Sequence, residues 1–126
     1  MDDDRYARGM KALERVNGED GKKAMESLKA FCPDMADHII KFAYGDVASR
    51  PTLDARIREL LTVAALTAMG NARPQLKVHI EGALNAGCTR EEVMEVIIQM
   101  AVYAGFPAAM NGIFAAKEVF DARKGK

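Results

Sequence analysis

The chain is poor in several things. Aromatics make up 6% of its 126 residues, there are two histidines and two cysteines, and 18 Lys and Arg are balanced by 18 Asp and Glu. Each shortage excludes something. A nucleic-acid partner calls for a basic face, whereas here only Asp2-Asp3-Asp4 and the tail residues Arg123, Lys124 and Lys126 form runs of one sign. The longest apolar runs are broken by polar groups well short of a membrane span. The acidic start is the opposite of a signal peptide's charged beginning, so a soluble cytoplasmic protein is expected. Cys32 and Cys88 stand alone, with no CxxC and no metal-type spacing. A disulfide between them and two buried, inert thiols both stay open, the second being the plainer reading. No phosphate loop or dinucleotide glycine fingerprint occurs. There is no repeat, no low-complexity segment and no convincing strand alternation.

What is present points to helices. Hydrophobic residues reach 49%, largely as Ala and Met, both good helix formers. The length suits one domain spanning 1–126, and so apolar a small domain is expected to hide surface against copies of itself. Punctuation divides the chain into six or seven helices. The first runs from Asp4 to Arg15, ended by Asn17-Gly18; a second follows a cap at Asp20, with Met25, Leu28 and Phe31 on one side. Pro33 opens a third, Asp34 to Tyr44, with Met35, Ile39 and Phe42 in register. Gly45-Asp46 begins a loop to Arg50-Pro51. Thr52 is read as the N-cap of a very apolar fourth helix, Leu53 to Met69, with Asp54 in its first turn. Pro74 starts a fifth, striped by Leu76, Ile80, Ala83 and Leu84 and closed by Gly87. Thr89-Arg90-Glu91-Glu92 is a capping box opening a sixth, packed through Val93, Ile97, Met100 and Ala101. Tyr103-Ala104-Gly105-Phe106-Pro107 breaks it, and a seventh runs to about Arg123.

Few residues in this pattern carry chemistry. His79 lies about 60° from Leu76 around the fifth helix, at the edge of its apolar stripe. There it either satisfies a neighbour or moves a proton near neutral pH. His38, beside Asp34 and Asp37, reads as solvated. Arg56, Arg58 and Glu59 stand on the otherwise apolar fourth helix, where a charge is paired, surface-facing or used. Arg56 and Glu59 are spaced to pair along the helix. An arginine there also suits a carboxylate, whose two oxygens match its fork. Tyr44 and Tyr103, at helix ends, are core residues or phenols aimed into a cavity. Glu81, two residues from His79, points away from it on a helix, so a metal site is poorly supported.

Taken together, Arg58-Glu59-Leu60, His79, Gly82-Ala83-Leu84-Asn85-Ala86-Gly87, Thr89-Arg90-Glu91-Glu92-Val93 and Ala101 through Ala109 closely resemble the carboxymuconolactone decarboxylase family. Arg5-Tyr6 through Gly9-Met10, and Ala43-Tyr44-Gly45-Asp46 before Arg50-Pro51, extend the resemblance over nearly the whole chain. It implies an all-α, alkylhydroperoxidase D-like bundle assembled as trimers or hexamers. It also implies one of two chemistries: cofactor-free decarboxylation in aromatic compound catabolism, or peroxide reduction by a CxxC pair just before the family histidine. Here that stretch is Asn71-Ala72-Arg73-Pro74-Gln75, without cysteine, which disfavours the peroxiredoxin alternative. A third reading keeps the scaffold as a non-catalytic binder of small carboxylates. The chain departs from the decarboxylase pattern at Phe42 and Tyr44, where some bacterial members carry histidine and tryptophan; this bears on the substrate.

On the decarboxylase reading no metal or organic cofactor is required. In 4-carboxymuconolactone the departing carboxylate is conjugated through a C=C bond to the lactone carbonyl, which accepts the electrons as a dienolate. The resemblance then implies His79 as proton donor, Glu59 as its orienting partner or proton relay, Arg58 as carboxylate anchor, and Tyr44 or Tyr103 as hydrogen-bond donor to the oxyanion.

Overall fold

A computed structural model describes residues 2–124. Of the terminal charge runs, the side chains of Asp2 and Asp3 and the whole of Lys126 lie outside the described residues. Among those residues the fold is all-α, without strands. The helices are α1 (Asp2–Phe31), α2 (Pro33–His38), a π-helical segment (Ile39–Ala48), α3 (Ala55–Met69), α4 (Arg73–Asn85), α5 (Arg90–Ala104) and α6 (Phe106–Lys124). They group into two compact units, residues 1–54 and 55–126.

In the first unit α1 packs along the π-helical segment, and two of its glycines permit the approach. A methyl group at Gly9 would overlap the Ile40 carbonyl, and one at Gly45 would press on the backbone of Arg5. Arg5 grips Asp46 through Nε (3.0 Å to Oδ1) and Nη2 (2.7 Å to Oδ2), while Arg8 Nε donates to the Gly45 carbonyl at 2.7 Å. This network is why Gly45-Asp46 does not begin a loop, as the sequence suggested. The helix continues to Ala48 with wider winding, seen in the Ser49 N–H bonding the Tyr44 carbonyl five residues back. The buried stripe is offset by one residue from the one expected, already in α2 before the winding widens. Ala36 and Ile40 are inside, whereas Met35 and Phe42 are 51% and 61% exposed. At Asn17-Gly18, where the first helix was expected to end, Gly18 takes the non-helical φ 57° and ψ −143° and helical geometry resumes beyond it, so α1 is two helical stretches meeting at a kink, as the sequence suggested. Phe31, expected to pack, is exposed.

The second unit is built on a core of Val63, Leu76, Ile80, Val93, Ile97 and Val119. Each such side chain, removed from water, contributes roughly 1.5–3 kcal/mol. Small residues on α6 (Ala109, Gly112, Ala115, Ala116) are buried against it. Helix α3 begins at Ala55, later than Thr52 promised; Asp54, another favoured capping type, immediately precedes it. The junction between α4 and α5 follows the sequence closely. Gly87 adopts φ 101°, the Cys88 N–H reaches the Ala83 carbonyl and the Gly87 N–H reaches Leu84, which is the Schellman ending. Thr89 and Glu92 then exchange both bonds of the capping box, at 3.0 and 2.9 Å. Arg123 ties α6 to Glu81 on α4, as Arg73 and Lys77 tie α4 to Glu118.

Candidate active site

Helix α3 buries Glu59, Val63 and Thr67, one residue per turn. Two of the three are polar, and each is satisfied. The Thr67 hydroxyl donates to the Val63 carbonyl at 2.7 Å. Glu59 Oε2 lies 2.9 Å from His79 Nδ1. Proline within the first turn of α4 fixes where that helix starts. Burial of Leu76, Ile80 and Ala83 on one side then leaves His79 at the stripe's edge, its side chain 21% exposed against 9% for Glu59.

The electrostatics of this pair follow from its atoms. A carboxylate only accepts, so the proton between the two sits on Nδ1 and is donated to Glu59. That bond fixes the ring's orientation and leaves Nε2 to give or take a second proton. The pair is thus a buried carboxylate holding a partly exposed imidazole, an arrangement able to pass a proton through Nε2.

The remaining sequence candidates fall as follows. Arg58 is half-buried on α3, one residue before Glu59. Arg56, expected to pair with Glu59 along the helix, finds a carboxylate on another element: its Nη1 donates to Glu92 Oε2 at 2.6 Å. Sequence reasoning assigned Glu92 to the capping box alone. Its bridge to Arg56 spans 36 residues and no local pattern announces it. Tyr103 ends α5 and is 80% exposed, beside exposed Val102 and Phe106. Tyr44 belongs to the first unit, half-buried on the π-helical segment, where its hydroxyl accepts from Asn17 Nδ2 at 3.4 Å. Both cysteines are free thiols. Cys88 is buried, its Sγ 3.5 Å from the Arg56 carbonyl, and burial pushes its pKa above the usual thiol value, as an inert thiol should. Among the described residues no helix is long and apolar enough to cross a membrane.

Comparison with known proteins places the sequence in a family. The chain is 37% identical over 120 residues to a 4-carboxymuconolactone decarboxylase of Acinetobacter baylyi, covering 94% of this chain and 89% of that protein. It is 34% identical over 97 residues to an uncharacterised 15.0 kDa protein of Paracoccus denitrificans, covering 76% and 72%. It is 28% identical over 117 residues to a nitrosuccinic acid decarboxylase of Metarhizium robertsii, covering 92% and 81%. Residues 33–118, which include both Glu59 and His79, match the family's own sequence pattern. The chain belongs to the carboxymuconolactone decarboxylase family.

Proposed function

We propose that this chain, as one domain of residues 1–126, is a carboxy-lyase that releases CO2 from a small carboxylated lactone or a chemically equivalent acid, with His79 as proton donor. The observation carrying this is the buried Glu59 carboxylate on His79 Nδ1, which leaves Nε2–H of the imidazolium for the substrate. Breaking the C–CO2 bond leaves an electron pair. The pair moves into the substrate's own conjugated acceptor, and Nε2 then gives its proton to carbon. The imidazole is recharged from water, so the sum is carboxylate plus proton going to C–H plus CO2. The substrate supplies the electron sink, and Arg58 and Tyr103 are the candidate anchors for its carboxylate and its developing oxyanion.

The two decarboxylase relatives narrow the substrate class. Nitrosuccinic acid and 4-carboxymuconolactone have different skeletons but share one carbon centre. In each, the carbon that loses CO2 also carries a carboxymethyl arm and an electron sink, a nitro group in one and the vinylogous lactone carbonyl in the other. We infer a dianionic substrate of that form, its arm held by an arginine and its second carboxylate departing. The cytoplasm is the corresponding compartment, and a trimer or hexamer the corresponding assembly. The assembly reading is supported by Ile98, Val102, Phe106, Met110 and Phe114, large apolar side chains each more than half exposed along α5 and α6. Exposed apolar side chains grouped along neighbouring helices mark a protein–protein contact more often than scattered ones do.

The test is CO2 release from 4-carboxymuconolactone and from nitrosuccinate by the purified chain and by His79→Ala. Loss of a positioned acid lowers kcat by about 10²- to 10⁴-fold. Full turnover by His79→Ala on whichever acid the parent accepts removes the histidine from the mechanism. Tight binding of both acids without CO2 favours the non-catalytic binder.

A further inference from the structure

The proton-transfer pair depends on a helix end. Glu59 is only the fifth residue of α3, and the first turn of any helix lacks intrahelical partners for its N–H groups and frays readily. Were that turn to open, the Glu59 carboxylate would swing away from the ring it holds. Two contacts oppose this, one from Glu92 in the first turn of α5 and one from Cys88 in the turn before it. Arg56, one turn before Glu59 on the same face, donates to Glu92 Oε2 at 2.6 Å. Glu92 is itself immobilised, since its other oxygen accepts the Thr89 N–H at 2.9 Å and its own N–H bonds the Thr89 hydroxyl. Behind it the Cys88 thiol points at the Arg56 carbonyl, 3.5 Å away, and Cys88 is fixed by its N–H to Ala83 at 2.9 Å. The same turn closes α4, the helix that carries His79. Both members of the pair are therefore referenced to one rigid junction.

We propose that Arg56 and Glu92 are positioning residues for the reaction: their ion pair, backed by the Cys88 thiol, holds the first turn of α3 so that Glu59 stays in register with His79. The proposal rests on reading Glu59–His79 as the proton-transfer centre. Magnitudes separate it from a purely structural role. The side chains of Arg56 and Glu92 are 41% and 40% exposed, and an ion pair so open to water adds little to global stability. Displacement of a reacting group by about 1 Å, in contrast, costs up to about 100-fold in rate.

The experiment compares the full chain with Glu92→Gln, Arg56→Ala and Arg56→Lys. Gln at this position preserves the capping box while removing the charge. Glu92→Gln and Arg56→Ala are expected to lower kcat by roughly tenfold, with KM within about twofold and the thermal midpoint nearly unchanged; Arg56→Lys restores most of kcat. A second readout needs no substrate. In a His38→Gln background His79 is the only imidazole, and exchange of its Nδ1 proton with water, followed by NMR, should quicken several-fold in Glu92→Gln. Unchanged kcat and unchanged exchange in both charge-removing variants would overturn the proposal. So would an equal acceleration of amide exchange along α6, which marks general loosening. If the parent turns over neither acid, the substrate reading fails while the exchange measurement still decides the clamp. If Arg56→Ala does not fold, Glu92→Gln and Arg56→Lys decide it.

Discussion

Removing the imidazole should damage the protein in a way that removing both partners does not. Glu59 keeps 9% of its side-chain surface exposed and His79 Nδ1 sits 2.9 Å away. In His79→Ala the carboxylate stays buried and loses its donor. Breaking one side of a fully buried charge pair costs about 3–5 kcal/mol. Water reaches this pair through the His79 side, where 21% of the surface is open, so the cost falls below that range, to about 2–3 kcal/mol. Glu59→Gln replaces a charge-assisted bond by a neutral one and should cost about 1 kcal/mol. In the double variant no buried charge is left unpaired, so its cost falls below the sum of the singles by about 1–2 kcal/mol. Urea unfolding of the four proteins, followed by helical circular dichroism, measures this without any substrate. Additivity within about 0.5 kcal/mol would refute the coupling, and with it the reasoning that Glu59 exists to hold His79.

Acid should weaken the first unit through Asp46. The Arg5 guanidinium bonded to it, helped by Arg8, holds its carboxyl below the ordinary value of 3.8. A depressed folded-state pKa contributes stability that is complete above the unfolded value and disappears as pH falls through the lower folded one. Between about pH 5 and pH 2 the parent should therefore lose more of its denaturation midpoint than Asp46→Asn, and parallel curves would count against the Arg5 grip. The apolar side chains along α5 and α6 make a separate prediction. Sedimentation at micromolar concentration should show an assembly larger than one chain, and Val102→Lys with Phe106→Lys should dissociate it; a monomeric parent ends the oligomer reading.

Legibility in the sequence followed the range of the interactions. The α4–α5 junction was readable because its signals are local: Gly87 for a positive φ, and Thr89 with Glu92 three residues on. His79 at a stripe's edge was readable from helical geometry alone, and pairing Glu59 with it came from the resemblance. What failed was set by contacts across long separations. The π-helical winding through Gly45 and Asp46 depends on Arg5, 41 residues away from Asp46, and no periodicity rule anticipates a helix widened by its neighbour. The buried stripe falls one residue away from Met35, on Ala36 and Ile40, because the side of the helix that meets α1 is set by tertiary packing. The Arg56–Glu92 bond was out of reach because only i and i+3 are visible in one dimension, and this bond comes from packing.

The two departures from the family's decarboxylase pattern and the proton-transfer pair lie on separate parts of the chain. Phe42 and Tyr44 are both on the π-helical segment of residues 39–48, in the first unit. Glu59, His79 and the Arg56–Glu92 clamp are all contained in the second. On the proposed reading the second unit carries what any acid of the inferred class requires, a proton donor with its orienting carboxylate. The electron sink travels with the substrate, so a change from lactone to nitro acid places no new demand on that pair. It changes the size and polarity of the group next to the departing carboxylate. The expected consequence of the proposed reading is that His79→Ala lowers kcat by the same factor on every acid the parent accepts, 4-carboxymuconolactone and nitrosuccinate included; a loss confined to one acid would count against His79 as the common proton donor.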